Sequence, residues 1–283
     1  MSFDTPPWAS RGFDYLPSEL PVDEVVAIYL DGLIYACNFH QHPNAKGLLV
    51  WLWATVGAGD RAPVIGKRTI GRLAGMHTLI ISDPTLLQEP RLRIGMFFGD
   101  EAHNPIDGVV RIATICAAQL GLTPEEIVFA GTSSGGFAAV ASACRLSAGA
   151  ITLNAPLDLP AASERYPEGK LGRDHFRRGI SSEDLARQFP LRSRGSAAYL
   201  AARSDQGPRL AIFQNVKDRY QYEGQFAPFC HEVGADVRGG ISQDGNVLTE
   251  LLDYPEGHRA IPEALERAVT IGSAFVRRLG PTA

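Results

Sequence analysis

Five residues, Gly131-Thr132-Ser133-Ser134-Gly135, restrict this chain more than any other feature. They follow the apolar run Ile127-Val128-Phe129-Ala130 and open a small-residue stretch, Gly136-Phe137-Ala138-Ala139-Val140-Ala141, that reads as a helix. A strand that turns this sharply into a helix strains the serine backbone, holds the hydroxyl clear of the sheet and needs flanking glycines to avoid collision. The pattern predicts a nucleophile elbow at Ser133. The plainer alternative is an ordinary strand-to-helix turn with serine as the helix cap. What lies downstream favours the elbow.

A second apolar run, Arg209 to Asn215, is followed by Val216-Lys217-Asp218-Arg219-Tyr220, which places Asp218 just past a strand end. Forty residues later, Tyr254-Pro255-Glu256-Gly257-His258-Arg259 presents a histidine in a glycine-containing loop, ahead of the helix-like Ile261-Pro262-Glu263-Ala264-Leu265-Glu266. Ser133, Asp218 and His258 are the candidate catalytic residues. Their chain order, Ser then Asp then His, differs from the orders of the chymotrypsin and subtilisin folds. With the elbow, the acid after a late strand and the late Gly-His, the chain resembles the α/β-hydrolase superfamily.

The rest of the pattern is read for agreement with an α/β fold. Glu24 to Leu30 and Leu33 to Phe39 flank Asp31-Gly32, a strong short hairpin signal, so an antiparallel start is expected. Gly47 to Val56 and His77 to Ser82 read as buried strands, and residues 105–120 and 134–147 as helices. Ile151 to Asn154 and Arg209 to Asn215 supply two more strands, and this alternation implies a largely parallel sheet with helices on both faces. A length of 283 residues with 45% hydrophobic content suits one domain. Residues 156–207, rich in prolines and charges, read as an inserted lid over the site. Its Arg173, Arg177, Arg178, Arg192 and Arg194 suit either an acidic substrate or an ordinary solvated helical face.

The net charge of −4 gives no strong field for nucleic acid or an anionic membrane. The amino terminus lacks the basic-then-apolar pattern of a signal peptide, and the apolar segment Gly47 to Gly59 is too short to span a bilayer. Cys37, Cys116, Cys144 and Cys230 are widely spaced without metal-type pairing, and read as buried thiols of a reducing compartment. A cytoplasmic protein is expected. Oligomeric state is not legible.

One motif competes. Gly57-Ala58-Gly59-Asp60-Arg61-Ala62 follows a strand and Asp83 ends the next, imitating a dinucleotide fingerprint. The imitation fails on the helix between them, where Pro63, Gly66, Gly71 and Gly75 interrupt the segment that should receive a pyrophosphate. In a hydrolase the same loop supplies one oxyanion-hole amide, and the residue after the nucleophile supplies the other. Ser134 is therefore one expected donor, and Thr55, Val56, Gly57 or Ala58 the second; the sequence does not choose among these four, and Val56 and Gly57 are carried as the candidates.

The other histidines lack a motif. His40 and His42 alternate like metal ligands on a strand, but no nearby acid or thiol completes a set, so they read as surface residues. His231 lies too near Asp218 in sequence to displace His258 easily, and His77, His103 and His175 stand alone. Asp205, Asp244 and Asp253 are fallback acids.

The chemistry this set implies is acyl transfer. His258 takes the Ser133 proton as the oxygen attacks an ester carbonyl, Asp218 orients and stabilises the imidazolium, and a covalent acyl-enzyme results. Water then releases an acid, whereas a bound sugar or alcohol hydroxyl receives the acyl group instead. Neither outcome requires a metal or an organic cofactor. A narrower resemblance adds a substrate class. Ile80-Ile81-Ser82-Asp83-Pro84-Thr85-Leu86, the run Leu92 to Gly99, Thr132 to Ala139, and Leu153-Asn154-Ala155-Pro156-Leu157-Asp158 are similar to bacterial hydrolases associated with glycan assembly and to the acyltransferase-like component of the accessory Sec system. This resemblance covers about residues 46–160 and implies acyl groups on sugars as substrates. The alternatives are a non-catalytic partner in a glycan-assembly or secretion complex, and a serine peptidase, for which no peptide-binding domain is evident.

Overall fold

The computed structural model of the chain describes residues 5–57, 60–67, 69–88, 92–99, 102–158 and 207–277. Almost all of the expected lid, including its five arginines, lies outside the described residues, as do Ala58, His175 and Asp205.

One ten-stranded sheet organises everything else. In chain order its strands are β1 (Arg11–Phe13), β2 (Val25–Leu30), β3 (Leu33–His40), β4 (Leu48–Trp53), β5 (His77–Ser82), β6 (Ile127–Thr132), β7 (Gly149–Leu153), β8 (Arg209–Asn215), β9 (Gly240–Ile241) and β10 (Val247–Leu252). Across the sheet the order is β1-β2-β3-β5-β4-β6-β7-β8-β10-β9. The hairpin β2–β3 and the pair β3–β5 are antiparallel, and from β5 through β4, β6, β7 and β8 to β10 every pairing is parallel. The hairpin turns on Asp31 and Gly32, both at positive φ, which is the backbone a two-residue turn of this hand demands.

Helices cover both faces: α1 (Ile70–Leu73), α2 (Pro84–Gln88), α3 (Pro105–Gln119), α4 (Ser134–Leu146), α5 (Ala227–Val233) and α6 (Pro262–Val276). The start of α3 follows from its sequence, with the Asn104 side chain accepting from the Ile106 amide, Pro105 opening the first turn and Asp107 within it. Strand alternation then sorts the core. Leu48, Val50 and Leu52 of β4 join Val109, Ile112, Ala139 and Val140 on one face, whereas Leu49 and Trp51 join Leu265, Ala268 and Val269 on the other. Between β4 and β5 the four-residue α1 is the one helix among the described residues, so the Gly57 loop does not lead into a pyrophosphate-binding helix.

One sequence expectation fails, for two residues. His40 and His42 are buried, not on the surface. Partners remote in sequence satisfy three of the four ring nitrogens: His40 Nδ1 pairs with Asp23 at 2.5 Å, His42 Nε2 with Thr78 Oγ1 at 2.8 Å, and Arg72 Nε donates to His42 Nδ1 at 3.2 Å, while His40 Nε2 has no partner among the described residues.

Candidate active site

At the carboxyl end of β6 the chain makes the turn its glycines allow. Ser133 sits at φ 51°, ψ −130°, between β6 and the first residue of α4. A Cβ on Gly131 would strike the Gly135 carbonyl, one on Gly135 the Leu52 carbonyl, and one on Gly136 the Thr152 hydroxyl. Close approach of α4 to β4, β6 and β7 is therefore what these glycines provide. The Ser133 amide donates to Leu153 O at 3.0 Å, which ties the strained residue to β7.

Asp218 follows β8 and opens a short helical path, Arg219–Gln221, a π-helical turn Tyr222–Phe226 and then α5. Its carboxylate approaches His258 Nδ1 at 2.6 Å, and His258 Nε2 approaches Ser133 Oγ at 2.7 Å. The Asp218 side chain is only 10% exposed whereas His258 is 43% exposed, so the acid is shielded while the imidazole is open to solvent. Among the fallback acids, Asp253 pairs with Lys217 at 3.3 Å and Asp244 braces the turn Ser242 to Asn246, so neither is bonded to His258. His231 closes α5 on an exposed face.

The loop carrying His258 is held by two buried asparagines that sequence reasoning passed over. Asn215, the last residue of β8, donates from Nδ2 to the carbonyls of Tyr254 and Gly257, both at 2.8 Å. Its Oδ1 accepts from the Tyr254 and Lys217 amides at 3.2 Å. Asn154, just past β7 at φ 52°, donates to Tyr254 Oη at 2.8 Å and to His258 O at 3.2 Å, and accepts from the Asn215 amide at 2.7 Å. One network thus joins the strand that precedes Asp218 to the loop that bears His258. The available signal was a polar residue ending each of two apolar runs, Leu153-Asn154 and Gln214-Asn215.

The expected oxyanion donors separate. Ser134 opens α4, where an amide has no intrahelical acceptor, and so remains a candidate. Val56 is corrected: its N–H is donated to Arg93 O at 2.8 Å, across a bridge that pairs Thr55 with Ile94, so it cannot also serve an oxyanion. Gly57 and Thr55 remain. The two donor segments are linked, since Thr55 Oγ1 lies 2.9 Å from Ser134 Oγ. Behind them, buried Asp83 accepts from the amides of Phe97 at 2.6 Å and Thr85 at 2.9 Å, which fixes the segment bearing Arg93 and Ile94. Burial pushes its carboxyl up to about 7 against the pull of these donors.

No protein-family model and no curated protein matches this sequence. Solved structures do match. A Gap123 glycosylation-associated protein complex from Streptococcus agalactiae aligns with a TM-score of 0.58 at 14% identity, over 87% of this chain and 44% of that one. The capsule O-acetyltransferase of Neisseria meningitidis serogroup A aligns at 0.57 and 12% identity, over 87% and 95%. A puromycin-hydrolysing peptidase of Mycobacterium tuberculosis aligns at 0.59 and 14% identity, over 90% and 39%. This chain spans less than half of the first and the third. At these identities the likeness is one of architecture, and with the sheet order above it defines an α/β-hydrolase fold.

Proposed function

We propose that the protein is a serine hydrolase that cleaves a carboxylic ester through an acyl-enzyme on Ser133. The observation that carries this reading is the unbroken hydrogen-bonded line from Asp218 through His258 to Ser133, at 2.6 and 2.7 Å. In this reading Nε2 of His258 removes the Ser133 proton as Oγ adds to the carbonyl carbon. Asp218, bonded to the opposite ring nitrogen, fixes the tautomer and stabilises the imidazolium. Negative charge arising on the carbonyl oxygen is met by the Ser134 amide and by one from Thr55 or Gly57. His258 returns the proton to the departing alcohol, and water repeats the sequence to release the acid.

The same intermediate supports transfer of the acyl group to a sugar hydroxyl. The likeness to the capsule O-acetyltransferase, which extends over 95% of that chain, favours keeping this as the second reading. Its substrate would be a glycan or other alcohol acceptor, whereas the Gap123 likeness supports a role beside partner proteins in place of turnover.

Intact mass after exposure to a fluorophosphonate, followed by turnover of short-chain aryl esters, tests the proposal. A single adduct on the native chain, absent from Ser133→Ala and His258→Ala, is expected. Either substitution should lower kcat by about 10^4-fold or more. A folded native chain that neither labels nor turns over would overturn the hydrolase reading and leave the partner role. Product analysis with added glycans then separates transfer from hydrolysis.

A further inference from the structure

Beside the loop that follows β4 lies a cavity of about 480 Å³, within the size range of small-molecule sites. Its floor is apolar. Val56, Leu86 and Leu92 are buried there as a cluster separate from the two main cores, and Trp8 closes one side. Among the described residues its charged lining is Asp60, Arg61 and Arg93, brought together from two distant stretches of chain. Both arginines are exposed, and neither has an ion-pair partner among the described residues. The site of acyl transfer is adjoining, because the cavity is lined by Val56 and Gly57 while the preceding residue, Thr55, is bonded to Ser134.

We propose that this cavity binds an apolar group ending in a carboxylate, carried by the ester substrate. The apolar part lies against Val56, Leu86, Leu92 and Trp8, and the carboxylate between the guanidinium groups of Arg61 and Arg93. Guanidinium is the side chain best matched to a planar carboxylate, which it holds through two parallel N–H donors. Among the described residues Asp60 limits the excess to one positive charge, which suits a monoanion better than a dianionic phosphate. A floor of this kind without the arginines would select only for hydrophobicity, and arginines without the floor would be ordinary solvated surface cations. Together they define a substrate with both features. The catalytic half of this inference rests on the reading of Ser133 as nucleophile, whereas the binding half does not.

Two measurements keep those halves apart. In the first, the Ser133→Ala chain is titrated with 4-phenylbutyrate and with its neutral amide, read by calorimetry and by the fluorescence lost on Trp8→Phe. The carboxylate should bind about tenfold more tightly, and Arg61→Ala with Arg93→Ala should abolish the preference, whereas Arg238→Gln, on a remote exposed pair with Asp236, should keep it. In the second, 4-nitrophenyl hemiadipate is compared with 4-nitrophenyl hexanoate on the native chain. A lower KM for the anionic ester is expected, with the ratio falling to about one in the double variant. Equal binding of acid and amide overturns the cavity proposal even if both esters are cleaved. Selective binding without cleavage of either ester overturns the hydrolase reading and leaves the cavity assignment standing.

Discussion

Asp83 shows how a single buried group near the site links loop geometry to pH. Its carboxyl sits at about 7 in the folded chain, above the ordinary value of 3.8, because burial disfavours the charge more than the Phe97 and Thr85 donors favour it. Between those two values the folded state holds a proton that the unfolded state has released. Stability therefore falls as pH rises from about 4 to about 7 and is flat above, with each pKa unit worth about 1.4 kcal/mol. Asp83→Asn removes that slope and leaves one amide acceptor short, at a cost of about 1–3 kcal/mol. Urea unfolding of both chains at pH 5, 6, 7 and 8 should show the native chain losing stability toward pH 7 relative to the variant. Parallel curves would mean that Asp83 does not titrate in this range. The sequence offered Asp83 as part of a dinucleotide imitation and of a resembling segment, without a partner in either. Its partners are the Thr85 amide and side chain, two residues on, and the Phe97 amide, fourteen residues on, and backbone amides leave no trace in side-chain patterns.

At the level of elements, the ends of β7 and β8 determine where His258 stands. Asn154 and Asn215 leave those strands at neighbouring positions and together satisfy the carbonyls of Tyr254, Gly257 and His258. Asn215→Ala would leave the buried Tyr254 carbonyl, the half-buried Gly257 carbonyl and two amides without this partner, and is expected to cost about 2–4 kcal/mol from the several bonds lost. If the hydrolase reading holds, it should also lower kcat for an aryl ester about 10- to 100-fold without removing any group of the proton relay, since small misplacements carry costs of that order. Asn215→Asp, which keeps the acceptor, should still lose both carbonyl contacts and resemble Asn215→Ala in kcat. A variant of native stability and native kcat would show that the loop holds itself.

The same elements show why some structure was legible and some was not. β4 and β8 were readable as apolar runs because strands with parallel neighbours on both sides are buried on both faces, and the Asp31-Gly32 hairpin because positive φ restricts residue choice. Val247–Leu252 carries weaker signals, with leucine and glutamate that suit a helix equally well, and becomes a strand by pairing with β8 on one side and β9 on the other. That Ser133, Asp218 and His258 would meet was expected from strand ends and loop glycines, and the structure brings the three side chains together. The Val56 error had another origin. An amide's availability depends on the carbonyl opposite it, and Arg93 stands opposite Val56 only through the tertiary bridge between Thr55 and Ile94.

On the scale of the whole molecule, the question is whether the antiparallel end and the parallel end of the sheet unfold together. A chain of 283 residues is long enough for populated intermediates. Against that stands the continuity of the larger core, in which Val26, Ile28, Tyr35 and Cys37 from the hairpin belong to one cluster with Phe129, Leu210 and Phe226. The free thiols sample this cluster along its length: Cys37 on β3, Cys116 on α3 and Cys230 on α5 are buried in it, and Cys144 on α4 packs against it. Burial raises all four, Cys144 and Cys230 up to about 12, so none is a reactive thiolate at pH 8 while the chain is folded. Pulsed thiol labelling across a urea series, with the labelled cysteines located by peptide mass, should give four superimposed transitions that also coincide with loss of far-ultraviolet ellipticity. Labelling of Cys37 at lower urea than Cys230 would instead divide the core. It would mean that the strand contacts joining β3 to β5 are weaker than those that hold β6, β7 and β8 under the proposed site.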